Sequence, residues 1–77
     1  MPPLPTVGSR DAVRAFERLG WTVARQQGSH IIMIKQGSVA TLAIPARKEV
    51  AKGTLRSLIR TAELTVQQFI SALEDSL

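Results

Sequence analysis

Between positions 9 and 20 the apolar residues Ala12, Val13, Phe16 and Leu19 recur three and four apart, so one face of a helix points to a core. Ser9 is placed to cap its start. Asp11 stands in the first turn, where the helix dipole favours an acid, and Gly20 follows Leu19 as a stop. From Trp21 the period changes. The runs "WTVARQ" and "HIIMIKQ" are rich in β-forming residues and are separated by Gln27-Gly28-Ser29, a short glycine-containing loop of hairpin type. A second break at Gly37-Ser38 precedes "VATLAI", and Pro45 ends that run because it has no amide proton to extend a ladder. Three strands joined by tight turns predict an antiparallel meander.

Helical spacing then returns. Leu55, Leu58, Ile59 and Ala62 form an apolar stripe, with Thr54 as the expected N-cap, and Lys52, Arg56 and Arg60 align along one side at intervals of four. A last short helix starts at Thr65. Thr65 and Gln68 are in capping-box register, Leu64 is placed to staple onto Phe69, and Val66, Phe69, Ile70 and Leu73 make the buried face. Residues 1–8, "MPPLPTVG", read as a flexible proline-rich extension, and residues 9–77 as a single domain.

The predicted class is therefore α+β: a helix, a three-stranded antiparallel sheet, a helix, and a further short C-terminal helix. Helices before and after a meander pack together on one face of it and leave the other uncovered. The middle run conflicts with that. One alternation phase is His30, Ile32, Ile34 and the other is Ile31, Met33, Lys35, so both faces carry apolar residues, whereas a one-sided sheet alternates apolar with polar. Either the tail or the terminal helix covers the second face, or a protein partner does.

At 77 residues the chain supports one small core, and a deep closed pocket for a large cofactor is not expected. Its 44% hydrophobic content suits a folded domain. There is no cysteine and a single histidine, which argues against disulfides, thiolate zinc sites and histidine-rich metal sites; no cofactor or metal is expected. No apolar run approaches a membrane span and the start lacks the pattern of a signal peptide, so a cytoplasmic location without membrane contact is the expectation. The net charge is +4 and the pI about 10.8. Positions 45–60 concentrate it, with Arg47, Lys48, Lys52, Arg56 and Arg60 against Glu49 alone, while positions 61–77 hold three acids and no base. Such a block attracts phosphates or an acidic partner, or is simply a solvated helix face.

His30 stands where turn meets strand, after Gly28, which permits close backbone approach, and Ser29, which offers hydrogen-bond donors. Its placement alone fits a structural or solvent-facing residue as well as a catalytic one. Imidazole exchanges protons near neutral pH. With cations gathering a phosphate, His30 as general base can take the proton of an RNA 2′-hydroxyl, so that this oxygen attacks the adjacent phosphorus without a metal. No second histidine exists to protonate the leaving 5′-oxygen. Lys35, Arg47, Lys48 or a water stands in, or the group leaves with electrostatic help alone. Other chemistries fit poorly: the six acids are scattered rather than clustered for magnesium, and no phosphate loop or dinucleotide fingerprint is present. Trp21, Phe16 and Phe69 align with apolar neighbours as core, not as base-stacking platforms.

The segments "RLGWTVARQQGSH", "LAIP" and "KGTLRSLIRTAELTVQQF", in this order and spacing, resemble the HicA (YcfA-like) toxin family of bacterial toxin-antitoxin systems, over about Ser9 to Phe69. The resemblance implies a double-stranded-RNA-binding-like α-β-β-β-α fold. It implies an endoribonuclease that cuts messenger RNA and requires the histidine of Gly-Ser-His, here His30. It also implies neutralisation by a HicB-like antitoxin, acidic at its contact surface, with a homodimer or a larger complex with the antitoxin as the assemblies to expect. Many relatives carry a further histidine two residues after the proline of the third strand, where this chain has Arg47. On this reading RNA contacts come from Gly28, Ser29, Lys35, Arg47, Lys48, Lys52, Arg56 and Arg60. Two alternatives remain: an RNA-binding module that does not cut, or a weakened toxin whose main role is to bind the antitoxin through its basic block.

Overall fold

The computed structural model describes residues 3–76. Its elements run α1 (Ser9–Arg18), β1 (Thr22–Gln27), β2 (His30–Ile34), β3 (Thr41–Pro45), α2 (Lys52–Thr61) and α3 (Val66–Asp75). The strands form one antiparallel sheet in the order β1-β2-β3. This is the expected α+β arrangement, α-β-β-β-α with an added C-terminal helix. No helix among the described residues is long and apolar enough to cross a membrane.

Register assigns each side chain to a face. Met33 pairs with Leu42 and Ile31 with Ile44, and Met33, Leu42 and Ile44 are wholly buried under the helices. The apolar stripes meet them as the spacing predicts, with Ala12, Phe16, Leu55, Leu58, Ile59, Ala62, Phe69 and Leu73 joining Trp21 in one cluster. The Phe16 and Phe69 rings lie 5.1 Å apart, inclined at 49°, a tilted contact that joins α1 to α3.

On the opposite face His30 pairs with Pro45, Ile32 with Ala43 and Ile34 with Thr41. Neither expected intramolecular cover is there. α3 packs on α1 and α2, on the helical side of the core, and its backbone approaches no strand among the described residues. Ile32 is nonetheless buried, flanked in register by Arg25 of β1 and Ala43 of β3, while Ile34 is exposed.

The N-terminal segment differs from the expected free extension. Leu4 and Val7 are buried in the core, and Val7 forms an isolated antiparallel bridge with Val50. Two buried apolar side chains are enough to dock the segment, because each buried aliphatic contributes about 1.5–3 kcal/mol. The first two residues of the expected extension lie outside the described residues.

Two expected caps are also corrected. α1 is capped by Gly8, and Ser9 is already helical, its amide donating to the Arg47 carbonyl at 3.0 Å. α2 starts two residues before Thr54, at Lys52, with Ala51 in the cap position and no side-chain cap. In both cases a loop held by tertiary contacts sets the first turn. The capping box of Thr65 and Gln68 forms as the spacing predicts.

Candidate functional site

The site is built from the His30 end of β2, where the β1–β2 turn and the end of β3 meet, and the start of α2. Gln27 pairs with His30, so the β1–β2 connection is the two residues Gly28 and Ser29. Gly28 has a φ of +59° and Ser29 has no positive φ, the requirement of a II′-type hairpin turn, whose first central position is glycine. The Ser29 carbonyl then accepts the Ala46 amide at 2.7 Å. That bond carries the β2–β3 pairing one residue beyond Pro45, which has no amide to offer. His30 is thereby held between Gln27 and Pro45, exposed at the end of the central strand.

Past Ala46 the chain crosses to α2 by a loop pinned from below. Arg47 accepts the Ser9 amide at 3.0 Å, and the Val50 amide donates to the Val7 carbonyl at 2.7 Å. Val50 is buried, whereas Arg47, Lys48 and Glu49 between these anchors are exposed. The backbone is fixed and the charged side chains face outward.

These pieces enclose a shallow cleft of about 550 Å³ lined by His30, Pro45, Arg47, Glu49, Ala51 and Thr54. The cleft joins an imidazole and a guanidinium to the first turn of α2. With no side chain capping that turn, its amides and the positive end of the helix dipole are open to an anion. Arg47 always carries its charge and presents a planar fork suited to phosphate oxygens. The arrangement can bind a phosphodiester and move a proton beside it.

The other expected contacts divide into groups. Lys48 and Lys52 are exposed on either side of Glu49 and Ala51, near the cleft. Arg56 and Arg60 line a separate groove of about 410 Å³ with Ile59, Leu64 and Val66, further along α2. Lys35 is not brought to His30. It lies beyond the far end of β2, its Cε 3.2 Å from where a side chain would begin on Gly20, in a pocket with Trp21 and Glu63. Five residues of extended chain separate it from His30, about 16 Å.

Two cleft residues escape the sequence reading. Glu49 looks there like a dilution of the basic block, and Thr54 like a cap. The available signal was that Glu49 is the single acid of that block, two residues from Arg47; its proximity to His30 depends on how the loop folds back.

A family model described as the HicA toxin of bacterial toxin-antitoxin matches residues 9–64, well over half of the chain, a span that contains the hairpin turn, the loop and all of α2. No curated protein matches the chain, and no solved structure does.

Proposed function

The chain belongs to the HicA toxin family of bacterial toxin-antitoxin systems, and from that premise we propose that it is a metal-independent endoribonuclease acting on messenger RNA through the cleft at His30. The observation that carries the reading is that His30, Arg47 and the uncapped start of α2 line one open cleft. Arg47, with Lys48 and Lys52 beside it, holds the scissile phosphate. Gly28 and Ser29 shape the turn against it. His30 is the proton-transfer residue of the cleavage step. Arg56 and Arg60 extend the backbone contacts along α2, and Lys35 contributes at most to a distant nucleotide.

The antitoxin, HicB-like and acidic where it meets the basic block, neutralises the toxin by covering this cleft. The exposed Ile34 of the uncovered sheet face supports a partner that extends onto it.

The test is incubation of the purified protein with RNA, and with DNA of the same sequence, in EDTA. The reading expects fragments from RNA alone, ending in 2′,3′-cyclic phosphate, and none from the His30→Ala protein. Binding without cleavage would instead leave an RNA-binding module, the alternative favoured by Arg47 standing where many relatives have a histidine.

A further inference from the structure

The His30 cleft contains a second side chain of the kind that transfers protons. Among its lining residues Pro45 and Ala51 carry no such group, Thr54 has only an alcohol, and the guanidinium of Arg47 is donor-only; that leaves Glu49 in the cleft with His30. Glu49 works against phosphate binding by like-charge repulsion, so its presence in an otherwise cationic neighbourhood is not explained by affinity. It accepts none of the side-chain hydrogen bonds found among the described residues. Its backbone lies between Arg47, whose carbonyl accepts the Ser9 amide, and buried Val50.

Resting on the ribonuclease reading above, we propose that Glu49 is the general base of the site and that His30, as imidazolium, is the general acid. Glu49 takes the proton of the 2′-hydroxyl while the 2′-oxygen bonds to the adjacent phosphorus. The bond from phosphorus to the 5′-oxygen breaks, and His30 gives its proton to that oxygen. The products are a 2′,3′-cyclic phosphate and a 5′-hydroxyl, and exchange with water returns Glu49 to carboxylate and His30 to imidazolium. Arg47 faces the phosphate oxygens, where charge grows in the transition state.

The division of labour follows from the kind of group each residue carries: a carboxylate offers only acceptor oxygens for the proton of the 2′-hydroxyl, whereas an imidazole ring can present an N–H to the leaving oxygen. The charged groups about Glu49 are His30 and Arg47 in the cleft, Lys48 next in the chain and Lys52 at the start of α2. The assignment also supplies the second proton-transfer group that a chain with a single histidine otherwise lacks.

A substrate with sulfur in place of the bridging 5′-oxygen separates the roles, because a thiolate leaves without being protonated. The experiment compares wild type, Glu49→Gln and His30→Ala on a short RNA with one cleavable linkage, in oxygen and sulfur forms. On the oxygen substrate both variants are expected to lose roughly 10²–10⁴-fold. On the sulfur substrate His30→Ala recovers toward the wild-type rate and Glu49→Gln does not. Glu49→Gln binds RNA at least as tightly as wild type, so its loss appears in kcat rather than KM, and Glu49→Asp restores part of it. Activity of Glu49→Gln near wild type, or rescue of Glu49→Gln rather than His30→Ala by sulfur, overturns the assignment while leaving the ribonuclease reading intact. A wild type that cuts neither substrate overturns both.

Discussion

The backbone of Gly8 lies so close to Lys48 that a Cβ added at Gly8 would stand 2.6 Å from the Lys48 carbonyl oxygen. The N-terminal segment is therefore the floor beneath the basic loop, fastened one residue to each side by the Val7 and Val50 bridge and the Ser9 to Arg47 hydrogen bond.

Gly8→Ala forces backbone against backbone, where no flexible side chain can yield, and is expected to cost about 1–3 kcal/mol. Urea denaturation reads the loss. Because the displaced residues are those between Arg47 and Val50, the variant is also expected to lose more RNA affinity than Leu4→Ala, which truncates another buried residue of the N-terminal segment. Equal affinities in the two variants would separate the floor from the site.

Glu63 supplies a stabilising substitution. It ends α2 with a φ of +59°, the one positive value at a non-glycine position among the described residues, while its amide donates to Arg60 and that of Leu64 to Ile59. That pair of bonds is a Schellman termination, which favours glycine at the left-handed position. Glu63→Gly is expected to raise stability by about 0.5–1 kcal/mol, relief of left-handed strain outweighing the added freedom of the unfolded chain. Thermal unfolding would show a rise of a few degrees, and no rise would mean that the strain is absent.

The separation of the cations makes a graded prediction for RNA binding. Arg47→Ala, Arg56→Ala and Arg60→Ala are each expected to flatten the dependence of log affinity on log salt by about 0.7 for a single strand. Arg47→Ala alone also lowers the cleavage rate at saturating RNA. Lys35→Ala, at the opposite end of β2, leaves that rate unchanged. Filter binding and single-turnover cleavage over a salt series test all four.

The uncovered sheet face predicts a variant that uncouples the partner from the substrate. Ile34 is 45% exposed, in register with Thr22 and Thr41, four residues from His30 along the same strand. Ile34→Lys is expected to weaken antitoxin binding at least tenfold, the penalty of about 1.4 kcal/mol for presenting a charge to an apolar contact. RNA cleavage by the protein alone stays as in wild type, and fold stability changes within about 0.5 kcal/mol, as for other surface substitutions. Unchanged antitoxin affinity would remove this face from the interface.

Much of the fold is readable along the chain. Helical spacing identifies Phe16, Leu55, Ile59 and Phe69 as core, Gly20 and the Thr65 capping box mark element ends, and the Gly28 turn locates the hairpin. These are local facts, set by side-chain periodicity and by backbone conformations that few residues adopt. At Ser9 and Thr54 the helices begin before the residue suited to cap them, because the chain reaches α1 with the Ser9 amide held by Arg47 and turns helical at Lys52, after Val50 is fastened to Val7.

The site divides in the same way. Sequence by itself determined the order of elements, the turn that presents His30 and the charge of the segment from Arg47 to Arg60, because each depends on residues within one or two turns of chain. Only the tertiary structure decided which charges meet the histidine. Docking of Leu4 and Val7 anchors the loop, the antiparallel register sets His30 against Pro45, and the two together bring Arg47 and Glu49 to His30 while leaving Lys35 at the far end of the strand. Such choices rest on contacts between residues distant in sequence, from His30 with Pro45 to Val7 with Val50, and no period along the chain encodes them.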